Sequence, residues 1–170
     1  MSGRVAGGVR RVLHWRPRGL PAARAGRGRR AREARVKFLL DTDTCIYALR
    51  RNPGVLARLL SRSRADVAVS VVTEAELRTG AAKSSSPPKT ALLLENFLRP
   101  LAVVEFTSSD AKAYAQLRAK LERAGTPIGP LDTLIAAQAL SRKLVLVTNK
   151  EQEFGRVPGL RLENWAGRET

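Results

Sequence analysis

From Val36 onward, short apolar runs alternate with longer amphipathic stretches, and that alternation is the strongest constraint on the fold. Val36 to Leu40, Val67 to Val71, Leu101 to Phe106, Leu144 to Thr148 and Leu160 to Leu162 read as strands, each bounded by polar or turn residues. Helices fill the intervals. Asn52-Pro53 is an N-cap followed by a first-turn proline and opens Val55 to Ser61, and Ser86-Pro87 does the same for Thr90 to Leu98. Ser109 opens a longer helix in which Ala113, Leu117 and Leu121 recur at four-residue spacing, and Gly125 and Pro127 close it. Leu131 to Leu140 forms the last main helix. The pattern predicts an α/β fold: a mainly parallel central sheet with helices on both faces.

Acidic residues stand at revealing points of this pattern. Asp41 stops the first apolar run in Phe38-Leu39-Leu40-Asp41-Thr42-Asp43-Thr44, where an open parallel sheet presents ligand-binding groups. Glu76 falls in the helix after the second strand, Asp132 in the first turn of the helix before the fourth, and Asn149 just beyond that strand. Glu153 follows in a polar loop. Each has a structural alternative. Asp41 or Asp43 suits a helix cap, Glu76 completes a capping box in Thr73-Glu74-Ala75-Glu76, Asp132 complements a helix dipole, and Glu153 is an ordinary loop residue. Gathered at one sheet edge, however, carboxylates repel one another unless a cation compensates, which points to a metal site.

Composition narrows the chemistry. With 170 residues, 44% of them hydrophobic, the chain is long enough for one core and is expected to form one domain. The only cysteine is Cys45, which excludes an intrachain disulfide and a multi-cysteine zinc site and favours a reducing cytoplasm. The only histidine is His14, far from the acidic positions, so carboxylates must carry any hydrolysis. No apolar stretch approaches the roughly 18 residues of a membrane helix, and no secretory-signal core precedes the fold, so a soluble protein without membrane association is expected. Residues 1–35 hold 11 Arg and one acid, a net +10 of the chain's +16. Their Arg, Ala and Gly order offers too few large apolar side chains to offset the entropy of folding, so the domain is assigned to residues 36–170. The extension reads as a basic RNA-binding arm, a transit-like peptide, or an artefact of a true start at Val36. Positive charge around a local acidic cluster suits a polyanionic substrate met by carboxylate-held cations.

Four segments carry a resemblance. Leu39-Leu40-Asp41-Thr42-Asp43-Thr44-Cys45-Ile46-Tyr47, Ser70-Val71-Val72-Thr73-Glu74-Ala75-Glu76-Leu77-Arg78-Thr79-Gly80, Gly125 through Ala136 with Asp132 at its centre, and Val147-Thr148-Asn149 with Glu153-Phe154 are similar, in order, to the motifs of VapC-type PIN-domain toxins. The likeness runs from about Val36 to Trp165. It implies an endoribonuclease dependent on Mg2+ or Mn2+, with Asp41, Glu76 and Asp132 as catalytic metal ligands. Asp43 replaces the usual Asn and adds charge to the pocket without being a ligand. Asn149 stands where many PIN domains place Asp, a weaker fourth ligand that Glu153 supplements directly or through water. The resemblance also implies an RNA substrate, a transfer RNA among the candidates, a VapB-like antitoxin and a toxin homodimer. Single-stranded or loop RNA best reaches a recessed pocket, with Arg50, Arg51, Arg78 and Lys150 as candidate cations for its backbone. The antitoxin is expected to cover the early helices around Ile46, Leu49, Val55 and Leu59 and to place a cation in the acidic pocket.

Two alternatives belong to other classes. A non-catalytic RNA-binding or interaction protein on the same fold is separated from the nuclease by metal-dependent cleavage. Asp41-Thr42-Asp43-Thr44 also satisfies the Asp-x-Asp-x-Thr signature of haloacid-dehalogenase-like phosphatases, with Asp41 as nucleophile and Asp43 as acid and base. The metal motif such a phosphatase needs after a later strand is absent: Asn149-Lys150-Glu151 stands there.

Overall fold

The computed structural model describes residues 36–167. The basic extension, residues 1–35 with His14, lies outside the described residues. Five strands form one sheet: β1 (Phe38–Leu40), β2 (Val67–Ser70), β3 (Ala102–Val104), β4 (Val145–Val147) and β5 (Arg161–Glu163), in the order β3-β2-β1-β4-β5. Every pairing is parallel, with Leu39 at the centre opposite Ala68 on one side and Leu146 on the other. All five expected strands are present, most of them a residue or two shorter than the apolar run that announced them. The short central strands are buried throughout, as in a sheet covered on both faces.

Strand alternation divides the core in two. Leu39, Ala68, Val104 and Leu146 point to one face, where they meet Leu117, Leu121, Ile135 and Phe154. Phe38, Leu40, Val67, Val69 and Val147 point to the other, against Cys45, Ala48, Val55, Leu77, Leu94 and Leu98. The first face is covered by α5 (Ser108–Arg123), α6 (Pro130–Ser141) and the short α7 (Glu151–Phe154). The second is covered by α1 (Thr42–Leu49), α2 (Pro53–Ser61), α3 (Val71–Ala82) and α4 (Pro87–Leu98). None of these helices is long and apolar enough to cross a membrane.

Local signals mostly act as expected. Asn52 caps α2 by accepting from Val55 N at 3.1 Å, and Gly125, with φ of 67°, ends the chain's turn out of α5. Three boundaries differ. Thr107 rather than Ser109 precedes α5, and its backbone N and hydroxyl both donate to Asp110 Oδ2 at 2.8 Å. Prolines at its first positions start α4 at Pro87, a turn earlier than Thr90. Glu153 sits in α7 rather than in a loop, because Phe154 is buried and draws that segment against the sheet. Val55 is fully buried in the core cluster under this face, so it cannot belong to an antitoxin-facing surface, whereas Leu49 and Leu60 are exposed. Next to Val55, Gly54 lets the C-terminal segment approach closely: a β-carbon there would meet Trp165 O at 2.7 Å.

The strand order creates the site. The chain passes from β1 to β2 on one side of the centre, whereas β4 returns on the other side of β1. Crossovers therefore diverge at the carboxyl ends of β1 and β4 and leave a crevice there, the usual ligand position of an open parallel sheet. Asp41 follows β1 and Thr148-Asn149-Lys150 follows β4.

Candidate active site

Asp41 lies at the bottom of this crevice, fully buried. Its Oδ1 accepts from Thr42 N at 2.7 Å, capping α1, and its Oδ2 accepts from the Thr148 hydroxyl at 2.9 Å. Thr44 donates its hydroxyl to Val147 O at 2.8 Å and so closes the start of α1 onto β4. Burial pushes the Asp41 carboxyl up from 3.8 to about 6, although the Thr148 bond, the Lys150 charge and the Thr42 N–H all favour its ionised form. Capping and site membership are thus compatible roles of one carboxylate.

Asp132 enters from the first turn of α6, with its side chain folded back so that Oδ2 would stand 3.1 Å from a β-carbon on Gly129. Only the absence of a side chain at Gly129 leaves that place open. Lys150 reaches in from the end of β4: its Nζ is 3.1 Å from Asp132 Oδ1, 3.4 Å from Asp132 Oδ2 and 4.0 Å from Asp43 Oδ2. Burial by itself would lower the Lys150 ammonium, but the charges of Asp41, Asp132 and Asp43 and the Asp132 bond outweigh it and hold it above the ordinary lysine value.

Glu76, half-buried on α3, accepts the Thr42 hydroxyl at 2.6 Å, which ties it to the same helix start that Asp41 caps. The capping-box alternative fails for a simple reason: the N-cap of α3 is Ser70, which accepts from Val72 N at 3.0 Å. Thr73 lies inside the helix and faces Leu40 O. Asp41, Asp43, Asp132 and Glu76 therefore surround one crevice. Asn149 is placed differently. Its amide donates to Tyr47 OH at 3.2 Å and its Oδ1 accepts from Asn164 at 2.9 Å, in a polar chain beside the carboxylates. Glu153 is half-buried on α7 and joins none of these bonds. Arg78 is held by Glu74 and Glu95 on the surface of α3 and α4. Thr42 and Thr148 escaped the sequence reading; the signal for each was a hydroxyl beside the polar end of an apolar strand.

Among the described residues, no three Asp, Glu, His or Cys side chains converge tightly enough to ligate an ion as they stand. The donor chemistry nevertheless fits magnesium or manganese. Every candidate donor is an oxygen, and magnesium is satisfied by one or two carboxylates with water and phosphate completing its shell. The Lys150 ammonium, drawn toward Asp132 and Asp43, supplies one positive charge to this crevice.

Together, the fold and the crevice define a small doubly wound α/β protein with a cluster of carboxylates at the switch point of its sheet. A family model for the PIN domain matches residues 38–160. The tRNA(fMet)-specific endonuclease VapC of Salmonella typhimurium is 40% identical over 130 residues, covering 76% of this chain and 98% of that protein. Ribonuclease VapC2 of Rickettsia felis is 37% identical over 131 residues, 75% and 97% of the two chains. Solved structures agree: a DNA-bound VapBC complex from Salmonella typhimurium superposes with a TM-score of 0.73 at 40% identity, covering 76% of this chain and 98% of that one. The chain belongs to the PIN-domain family, in its VapC branch. The phosphatase alternative ends there.

Proposed function

We propose that this chain is the ribonuclease toxin of a VapBC-type toxin–antitoxin pair, a divalent-metal-dependent endonuclease acting on RNA in the cytoplasm. The observation that carries the proposal is that Asp41, Asp132 and Glu76 border one crevice at the switch point, in a protein 40% identical to a named tRNA endonuclease. Asp41, Asp132 and Glu76 would hold the metal, the same donors that the resemblance assigns. When bound, the ion supplies orientation of the scissile phosphate, a lowered pKa for an attacking water and charge stabilisation of the leaving oxygen. The chain's own residues prepare the place: Thr148 and Thr42 orient the carboxylates, and the walls of the crevice exclude bulk water from Asp41.

Loop or single-stranded RNA is the proposed substrate class, since a phosphate must reach a carboxylate buried at the crevice floor. Transfer RNA leads among these, because two relatives at 40% and 38% identity carry the name tRNA(fMet)-specific endonuclease. An antitoxin of the VapB kind is the proposed partner, supported by solved neighbours that are VapBC complexes. Its landing surface includes the exposed Leu49 and Leu60 of α1 and α2. A homodimer is proposed with it. Incubating the full chain with a transfer-RNA pool and magnesium, then sequencing the new ends, tests the assignment. Discrete cuts in one or a few loops are expected; RNA left intact at every metal concentration contradicts it.

A further inference from the structure

Lys150 is placed differently from the other basic residues near the crevice. Its backbone N donates to the Thr148 hydroxyl at 3.0 Å, and that same hydroxyl donates to Asp41 Oδ2 at 2.9 Å. The lysine backbone is therefore indexed to the buried carboxylate through one oxygen. From this anchor the side chain turns inward instead of into solvent, to Asp132 at 3.1 Å and Asp43 at 4.0 Å. An exposed lysine–carboxylate pair contributes little, and the Lys150 and Asp43 side chains are 33% and 35% exposed, but the Asp132 side chain is 13% exposed and three carboxylates act on one ammonium.

The charge balance gives the reason. Asp41, Asp43, Asp132 and Glu76 bring four carboxylates to one crevice, and the single ammonium answers the Asp132 and Asp43 side of it. In sites that use two divalent ions, a second cation sits a few ångströms from the first and shares carboxylates with it. Here that side is already taken by a permanent charge on a rigid anchor. Asp132 retains the capacity to serve both cations, since a carboxylate offers two oxygens and about four lone-pair positions.

We propose that Lys150 is the built-in second cation of this site, so that the chain binds one divalent ion where the carboxylate count would otherwise admit two. This rests on the metal-dependent reading given above. Lys150 is in this sense a positioning residue: it holds Asp132 and Asp43 for a single ion and leaves the Asp41 side for that ion. Asp43, an acid where the family pattern has Asn, gives the ammonium its second carboxylate.

Counting bound Mn2+ on the full chain, by calorimetric titration and by the electron-spin signal of the free ion, tests the idea without any RNA. One ion per chain is expected for the natural protein. Lys150→Met, which keeps most of the length of the side chain and removes its charge, is expected to bind two ions, the first about tenfold more tightly. Lys150→Arg should keep the count at one. Two ions on the natural protein, or a Lys150→Met titration identical to it, would overturn the proposal while leaving metal dependence intact. If neither protein binds Mn2+, the metal reading itself fails and the role of Lys150 with it. The count on the natural protein decides even if a variant does not fold.

Discussion

Thr148 donates its hydroxyl to Asp41 Oδ2 at 2.9 Å, joining the carboxyl ends of the two central strands across the crevice between them. The two residues are 107 positions apart in the chain and adjacent only because β1 and β4 pair in parallel. This bond fixes which way the buried carboxylate faces and favours its ionised form.

Replacing Thr148 with Val removes the donor while keeping the β-branched shape. The carboxyl of Asp41 then rises further above its ordinary value, and the ion loses an oriented ligand. Supporting residues of this kind cost about 10- to 100-fold in metal affinity or activity when lost. The expected result is a loss of that size in cleavage rate at limiting magnesium, with a lower melting temperature as well, since the buried Asp41 carboxylate and Lys150 N each lose a partner. Unchanged metal dependence would show that Asp41 is held by α1 alone.

Asp41 also predicts a pH dependence of stability. Its folded value is raised from 3.8 to about 6, so the folded chain binds more protons than the unfolded chain between those values. In chelator, the Asp41 contribution therefore favours folding at low pH and is lost as pH rises through about 6. The full cost above that point is ~3 kcal/mol, an order-of-magnitude figure. Asp41→Asn should melt higher than the natural protein above pH 6 and match it below about pH 4. Equal melting curves across the range would contradict a carboxyl strained by burial.

Asp110 makes the opposite prediction. It is buried at the start of α5, and burial would raise its carboxyl, but Arg142, Ser141 and Thr107 outweigh that and hold it below 3.8. Its contribution is present above the ordinary carboxylate range and is lost as pH falls through the lower folded value. Arg142 Nη2 lies 3.0 Å from Asp110 Oδ2, so the pair locks the end of α6 to the start of α5. Asp110→Asn should lower unfolding free energy by about 2–4 kcal/mol in a denaturant titration. No change in the midpoint would mean that the pair is ornamental.

Much of this was legible in the chain. Five strands and the main helices follow from apolar runs and their punctuation, and Asp41 stands where the first run ends, whereas Glu76 and Asp132 were assigned to the site by the resemblance to VapC-type PIN domains. What escaped depends on three-dimensional neighbours. Glu76 looked like half of a capping box because nothing local reveals that the helix begins at Ser70, three residues before Thr73. Val55 looked available to a partner because nothing local reveals that it is buried in the core cluster with Phe38, Leu40, Cys45 and Trp165. Lys150 was legible as a cation near the RNA, but its inward turn to Asp132 needed the register of β4 against β1. Asn149 followed the family position, yet its bonds run to Tyr47 and Asn164, residues that sequence spacing does not bring together.

The core of the described domain also predicts its own boundary. Val36 is buried in the cluster with Leu39 and Leu144, so a chain beginning at Val36 keeps every core side chain that the described residues contribute. Removing residues 1–35 should leave cooperative thermal melting unchanged, as followed by circular dichroism. A start one residue later, at Lys37, sacrifices a core valine and should melt lower. If removal of residues 1–35 abolishes cooperative melting, that segment packs against the domain.

The proposed metal-dependent cleavage rests on Asp41, Asp132 and Glu76, which border one crevice at the switch point. The most direct test is cleavage of a transfer-RNA pool by the full chain in magnesium and in chelator, beside Asp41→Asn and Asp132→Asn. Cuts that require magnesium and vanish in both variants, with folding intact, are predicted. Cleavage that persists in chelator or in either variant would rule out a metal held by Asp41 and Asp132.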